Sequence, residues 1–148
     1  MFEKQFTVSW ADVDANSHMR NTSYLERVSD IRLMYFAANG FSLDSFRKLH
    51  FGPVVRRDEV EYFKELHLLD HFVVNFEIAG LSDDASRMCL SHSFKNESGE
   101  VLAKIVTLAG WLDLEKRKLI PPPDNLAEAL RKLPRTNEFV VLPSSLKS

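Results

Sequence analysis

The chain has 148 residues, of which 45% are hydrophobic and 27% are charged, and its formal net charge at pH 7 is -2. This size and composition are typical of one globular domain, so we expect a single domain over residues 1–148, with a core in about residues 4–133 and a tail at 134–148. The near-neutral charge argues against nucleic acid as a partner.

Targeting signals are not evident in the sequence. The first ten residues lack the apolar run of a signal peptide, and no later segment is apolar enough to predict a membrane span. Cys89 is the single cysteine, so the chain cannot form an internal disulfide, which suits a reducing compartment. We therefore expect a cytoplasmic protein.

The first predicted element is a strand. In "FTVSW", the apolar residues Phe6, Val8 and Trp10 alternate with polar ones, as in a half-buried strand that ends near Ala11.

A long amphipathic helix is predicted next, over about residues 22–39. From Tyr24 onwards the apolar positions repeat close to every 3.6 residues. Ser23 and Glu26 have the spacing of a capping box, and Asn39 with Gly40 is typical of a left-handed C-terminal stop.

The second half of the chain is predicted to be mostly strands. Alternating or fully apolar runs cover segments 54–63, 72–81, 87–96 and 100–114, with turn-forming residues between the later ones. This pattern predicts an antiparallel meander. Three prolines then break the strand pattern and a short helix follows, with Asp124 or Asn125 as its N-cap. The last residues could add an extended segment or stay mobile.

The polar stretch between the first strand and the long helix admits three interpretations. Asp12, Asp14 and Asn16 match the first ligand positions of a calcium-binding EF-hand loop, but Ser17 and Ser23 replace its required Gly and Glu. Capping and turn formation explain some of the polar residues but not all of them. The third interpretation is an active site.

No metal site is expected elsewhere. His67 and His71 are four residues apart, but they lie between two predicted strands, and the glutamate of the metalloprotease motif is missing. His92 shares its parity with the apolar residues Leu90 and Phe94, which is typical of a core histidine.

The polar stretch between the first strand and the long helix also carries a family resemblance. "DVDANSHMRNTSYLERVSDIR" resembles the signature of hotdog-fold acyl thioesterases, in which an Asp ends the first strand and an aromatic residue opens the central helix. It is similar to the Asp-x-Asn-x-His pattern of acyl-ACP thioesterases, and Asp14 aligns with the catalytic carboxylate of the 4-hydroxybenzoyl-CoA thioesterase family. The resemblance extends from about Phe6 to Leu133. It implies an α+β hotdog fold, with one long central helix packed against a curved five-stranded antiparallel sheet.

The implied activity is hydrolysis of an acyl-CoA or acyl-ACP thioester without a cofactor. Asp14 is the candidate base or nucleophile, Asn16 could orient water or the thioester, and His18 could act as a base or hold the loop. A backbone N–H near Asn21 or Thr22, at the helix start, could stabilise the oxyanion. A hotdog dehydratase or hydratase and a non-catalytic acyl-binding protein remain as alternatives.

Substrate contacts are expected mainly from the long helix and the second strand. For Tyr24, the aromatic residue that opens the helix, the main alternative to a substrate contact is a position in the core. The predicted contact residues are Asn21, Tyr24, Tyr35, Phe51, Gly52, Pro53, Arg56, Arg57 and Phe63. The two arginines, together with Lys64, are candidates for the phosphates of CoA. Because a five-stranded sheet leaves exposed edges, we also expect a homodimer or a dimer of dimers.

Overall fold

A computed structural model of the chain describes residues 1–146. Its strands and helices, in chain order, are β1 (Phe2–Thr7), α1 (Asn21–Ala38), α2 (Leu43–Leu49), β2 (Phe51–Tyr62), β3 (His71–Ser82), β4 (Arg87–Lys95), β5 (Val101–Asp113), β6 (Lys118–Ile120), α3 (Asp124–Arg131) and β7 (Arg135–Leu142). A single 3-10 turn, Trp10–Asp12, lies between β1 and α1.

The strands form one sheet. Five of them follow the antiparallel path β1–β3–β4–β5–β2, while β6 extends β5, and β7 runs parallel to β3. Helix α1 lies against β1 and β3, and α2 lies against β2. The long helix on a five-stranded antiparallel path agrees with the predicted α+β architecture.

An apolar layer between α1 and the sheet forms the core. Alternate residues of β5 point inward, and Ile105 and Trp111 are fully buried. Phe36 of α1 makes an edge-on contact with Trp111 at a ring distance of 5.6 Å, and Phe46 of α2 stacks on the same indole. Burial of such large rings stabilises the contact of both helices with the sheet. His92 is also fully buried, as its parity predicted.

The first strand differs from the prediction. It spans Phe2–Thr7, and the chain then turns, so that Trp10 is 81% exposed. Ser9 causes this turn, because its backbone N–H and its hydroxyl both donate to the carboxylate of Asp12. The predicted strand end near Ala11 is therefore wrong.

The ends of α1 were predicted with mixed success. Its observed bounds agree with the predicted 22–39 within one residue, and Gly40 has the positive φ expected of the stop. The predicted capping box is wrong. The cap position is Arg20, which makes no side-chain cap, and Ser23 is buried within the first turn.

Strand pairing also departs from the simple meander. β2 pairs with β5 rather than β3, because the eight residues between β2 and β3 exceed the usual length of a hairpin loop.

Helix α2, which begins after the capping residue Ser42, was not predicted. For α3 the cap position is Pro123, so Asp124 is its first residue rather than its cap. The tail to Leu142 forms β7, and residues 147–148 lie outside the described part.

Candidate active site

The loop between the 3-10 turn and α1 is held by its own backbone. Val13 and Met19 face each other across an antiparallel bridge, and Asp14 N–H donates to the carbonyl of His18 at 3.0 Å. Ser17 has a φ of 67°, a left-handed conformation that glycine adopts more easily. Met19 N–H donates to Leu66 O, which ties the loop to the segment after β2. Asp14 and His18 therefore have fixed positions.

The carboxylate of Asp14 is held at both oxygens. Its Oδ1 accepts from the backbone N–H of Asn16 at 2.8 Å and, more weakly, from that of His18 at 3.4 Å. Its Oδ2 lies 3.0 Å from Nδ1 of His18. Both side chains keep about 30% of their surface exposed, at 29% for Asp14 and 30% for His18. The pair can therefore contact a bound molecule.

Asp14 and His18 line a cleft of about 420 Å³ between the start of α1 and the end of β2. The cleft combines aromatic walls with charged groups. Its lining residues are Asp14, His18, Met19, Asn21, Tyr24, Tyr62, Phe63, Lys64 and Glu65. Such a mixture, apolar with a few convergent polar groups, is typical of a small-molecule site.

Tyr24 and Tyr62 form the aromatic wall of this cleft. Their rings meet edge to face at 5.1 Å. Burial raises the pKa of Tyr24 to about 12, and the nearby Tyr62 and the Glu65 carboxylate add to this effect. The Tyr24 hydroxyl therefore stays protonated and can donate a hydrogen bond. Tyr24 is also 3% exposed, so the predicted core position and the predicted contact position coincide.

Asp12 has a different environment from Asp14. It is 3% exposed, and its two oxygens contact Nη2 of Arg27 at 2.9 and 2.8 Å. Burial raises the pKa of Asp12, but hydrogen bonds from Ser9 and Ser23 and the charge of Arg27 lower it more, so the net pKa is below its usual value. Both oxygens of Asp12 accept bonds from groups of the fold, which gives Asp12 a structural role.

The start of α1 offers backbone donors beside the cleft. As the first helical residue, Asn21 has no carbonyl of a preceding turn for its N–H. The N–H of Thr22 donates to Oδ1 of Asn21 at 3.0 Å. Of the two predicted oxyanion donors, the Asn21 N–H is the less occupied.

Two predicted site residues, the catalytic candidate Asn16 and the contact candidate Tyr35, do not line the cleft. Asn16 is exposed in the loop and reaches Asp14 only through its backbone N–H. Tyr35 is buried in the core, and its hydroxyl donates to the carbonyl of Ala129.

The predicted residues at the start of β2 are also distant from it. Phe51, Gly52 and Pro53 begin this 12-residue strand, whose other end reaches the cleft. At about 3.3 Å per residue, β2 is roughly 36 Å long. Arg56 and Arg57 line other surface depressions, whereas Phe63 and Lys64 line the cleft, and Lys64 also pairs with Glu100.

Sequence reasoning missed three lining residues of the cleft, of which Met19 lies in the loop before α1. Tyr62 ends β2, and Glu65 lies in the segment that follows it. No motif marks either residue, and they reach the cleft through the backbone link from Met19 to Leu66 and through the pairing of His18 with His67.

Within residues 1–146, no group of three His, Cys, Asp or Glu side chains is arranged to hold a metal ion, and no helix has the length and apolarity to cross a membrane.

Comparison with known proteins places the chain in a family. Residues 8–130 match the thioesterase-like superfamily. The chain belongs to this superfamily, which confirms the predicted family and, at the level of the family, the predicted enzyme class of thioester hydrolase. None of the curated proteins matches the sequence significantly.

Solved structures confirm the hotdog fold. A 1,4-dihydroxy-2-naphthoyl-CoA thioesterase from Synechocystis is similar with a TM-score of 0.80 and 22% identity, over 89% of this chain and 96% of that one. A protein from Staphylococcus aureus in complex with CoA has the same TM-score of 0.80 and 22% identity, over 97% and 90% of the two chains. A gentisyl-coenzyme A thioesterase matches with a TM-score of 0.76 and 20% identity, over 85% and 99%.

Proposed function

We propose that this protein is an acyl-CoA thioesterase that hydrolyses its substrate to a free acid and a thiol. The observation that carries the proposal is the Asp14 carboxylate, which is fixed by backbone N–H groups and lies 3.0 Å from the His18 ring in a cleft beside the start of α1. Two similar structures are named as CoA thioesterases and a third holds CoA, which supports CoA as the carrier.

Asp14 acts as the general base in this proposal. It takes a proton from water, whose oxygen attacks the thioester carbonyl carbon. The carbon–sulfur bond then breaks, and the proton is passed to the departing thiolate, so that water is divided between acid and thiol. His18 orients the carboxylate through its Nδ1 contact.

The hydrogen bonds of Asp14 favour a base over a nucleophile. Oδ1 of Asp14 already accepts from the backbone N–H groups of Asn16 and His18, and Oδ2 lies 3.0 Å from Nδ1 of His18. A base needs one remaining lone pair directed at water, whereas a nucleophile must bring an oxygen to bonding distance of the carbonyl carbon.

The oxyanion formed by attack is stabilised by the N–H of Asn21. A helix N-terminus presents unpaired N–H groups and the positive end of the helix dipole, both of which favour a developing negative charge. In this proposal, Asp14 and this N–H contact the same thioester across the cleft.

The proposal is tested by thiol release from a panel of alkyl- and aryl-CoA esters, with wild type and Asp14→Asn. We expect hydrolysis by wild type and a loss of kcat of about 10²–10⁴-fold in Asp14→Asn, the usual contribution of a general base. Asp44→Asn, an exposed carboxylate of α2, is the matched control. Thiol release that is unaffected by Asp14→Asn would refute the mechanism. Conversion of enoyl-CoA without thiol release would indicate the alternative hydratase.

The base and nucleophile roles are separated by a single turnover in ¹⁸O-labelled water, followed by mass spectrometry of the peptide that contains Asp14. A general base places the label only in the released acid. A nucleophile forms an anhydride at Asp14; when water attacks the Asp14 carbonyl carbon of this anhydride, the label enters the Asp14 carboxylate in the first turnover and reaches the product only after repeated turnover. Homo-oligomerisation and a cytoplasmic location remain predictions, and solution mass measurement tests the first of these.

A further inference from the structure

Tyr24 combines near-complete burial with a polar atom that the fold does not use. The residue is 3% exposed, and its ring contacts Tyr62 of β2 and Phe94 of β4, with 5.1 Å between ring centroids in both cases. Within residues 1–146, its hydroxyl makes no hydrogen bond, and the hydroxyl oxygen is not among the fully buried polar atoms without a partner. The oxygen therefore keeps some open surface, and the open space that Tyr24 lines is the cleft.

Tyr35 of the same helix shows the usual state of a buried hydroxyl. It is 7% exposed, and its hydroxyl donates to the carbonyl of Ala129. Buried hydroxyls are normally paired in this way, because an unpaired one has lost its water without gaining a partner. Tyr24 is buried to a similar degree without such a bond in the described chain, so its donor is available to a molecule in the cleft.

The backbone at the start of α1 supplies few free donors. The N–H of Thr22 donates to Oδ1 of Asn21 at 3.0 Å, and the N–H of Ser23 donates to the carbonyl of Arg20 at 3.1 Å. Of these three residues of the first turn, only Asn21 has an N–H without a bond to a described residue. A carbonyl oxygen has two lone pairs and accepts from two donors. The Asn21 N–H therefore leaves one acceptor site of a bound thioester unused.

The place of Tyr24 on α1 brings its hydroxyl towards this site. Tyr24 follows Asn21 by three residues, so the two lie on one face of the helix within its first turn. Helical side chains lean towards the N-terminus, and the ring of Tyr24 therefore covers the turn that precedes its own Cα. Both residues line the cleft together with Asp14. The hydroxyl and the Asn21 N–H thus point into the same small space.

The acidity of Tyr24 suits a hydrogen-bond donor rather than a proton donor. Burial, with Tyr62 and Glu65 nearby, raises its pKa to about 12. A thiol is far more acidic, so the hydroxyl keeps its proton when a thiolate departs. The charge of Glu65 opposes an oxyanion, but its side chain is 63% exposed and lies 3.2 Å from Nε2 of His67, so solvent screens this charge.

We propose that the side-chain hydroxyl of Tyr24 is a catalytic group that donates to the thioester carbonyl oxygen, as a second oxyanion donor beside the N–H of Asn21. This inference rests on the proposed thioesterase function. The contact involves the carbonyl that every thioester has, so it acts on all substrates alike, whatever their acyl group.

The test compares Tyr24→Phe with Tyr35→Phe, using the unsubstituted alkyl- or aryl-CoA ester that wild type hydrolyses fastest. We expect Tyr24→Phe to lower kcat about 10²-fold with KM within about threefold, as for the loss of one oxyanion donor. Tyr35→Phe makes the same chemical change in the core. It should keep kcat but lower the temperature of thermal unfolding, because the carbonyl of Ala129 loses its donor. Tyr24→Phe should not lower this temperature.

A second readout changes the acceptor instead of the donor. In the dithioester of the same acyl group with CoA, sulfur replaces the carbonyl oxygen, and sulfur accepts hydrogen bonds weakly. Wild type should therefore have a higher kcat/KM for the thioester. Tyr24→Phe should reduce this preference by at least about tenfold, the value of one hydrogen bond to a charged group, whereas Tyr35→Phe should retain it.

Three results would overturn the inference. The first is a kcat of Tyr24→Phe within about threefold of wild type. The second is a large loss of kcat with the full preference for oxygen over sulfur, because Tyr24 would then act through packing. The third is failure of Tyr24→Phe to fold, because a hydroxyl without a partner in the fold is not needed for stability. Absence of thiol release by wild type from every ester would instead refute the proposed function.

Discussion

Asp12 and Asp14 are two residues apart, yet the fold gives them opposite environments. Asp12 is 3% exposed and contacts Arg27 and Ser9, whereas the side chain of Asp14 is 29% exposed and lies at the cleft beside His18. The charge of Asp12 thus stabilises the start of the site, whereas the charge of Asp14 stays available to a ligand. The comparison shows that a carboxylate's partners, rather than its presence in a motif, determine whether it is structural or reactive.

The largest expected effect is a separation of stability from activity between the two carboxylates. Asp12→Ala removes the shorter of the two ion pairs of Arg27 and leaves two donors of Ser9 without their acceptor, so we expect a loss of about 3 kcal/mol in the free energy of unfolding. Asp14→Asn should change this free energy by less than about 1 kcal/mol, because its hydrogen bonds are in a partly exposed loop. Urea unfolding measures both variants. Equal destabilisation by the two substitutions would contradict the division of roles.

Acidification should reveal the same difference. The net pKa of Asp12 is lowered from 3.8, so the folded state is stabilised by the ionised form, fully above pH 3.8 and progressively less as the pH falls further. The free-energy gap between wild type and Asp12→Asn should therefore close below pH 3.8, by at most about 1.4 kcal/mol per pH unit for one proton. Urea titrations at several pH values measure the gap. A gap that stays constant down to acid unfolding would argue against this role.

His18→Gln should have an intermediate effect on turnover. It removes the ring that lies 3.0 Å from Asp14 but leaves the backbone donors to Oδ1 in place. We expect kcat to fall by about tenfold, the value of one hydrogen bond to a charged group. If the loss instead equals that of Asp14→Asn, the proton-accepting role belongs to His18.

Asn16→Ala should have the smallest effect. The side chain of Asn16 is exposed, and its contact with Asp14 comes from the backbone N–H, which alanine retains. We expect kcat to remain within about twofold of wild type, as for most exposed substitutions. A loss of tenfold or more in the thiol-release assay would support the predicted catalytic role of the amide.

Sequence periodicity predicted the regular elements well where one face is buried throughout. Helix α1 and the strands β3 to β5 lie within one or two residues of their predicted bounds. Prediction failed where a single side chain redirects the backbone. Ser9 ends the strand pattern early through its bonds to Asp12, and neither residue is unusual in a strand-end sequence.

The site was predicted in part. The motif contained Asp14, His18, Asn21 and Tyr24, which the fold brings to one cleft. The contacts expected from the start of β2 do not line this cleft and stay predictions, because the sequence does not show which end of this long strand lies beside the polar loop. Tyr62 and Glu65 complete the cleft from more than 35 residues away, and no local pattern reports such a contact.

The sequence by itself determined helix α1, the order of β1 to β5 along the chain and the polar loop before α1. These features follow from side-chain periodicity and from turn chemistry between near neighbours. Tertiary structure decided that β2 pairs with β5 and that Asp12, rather than Asp14, pairs with Arg27. Each of these contacts joins residues that are distant in the chain, and the burial that gives them their energy exists only once the helix and the sheet are packed together.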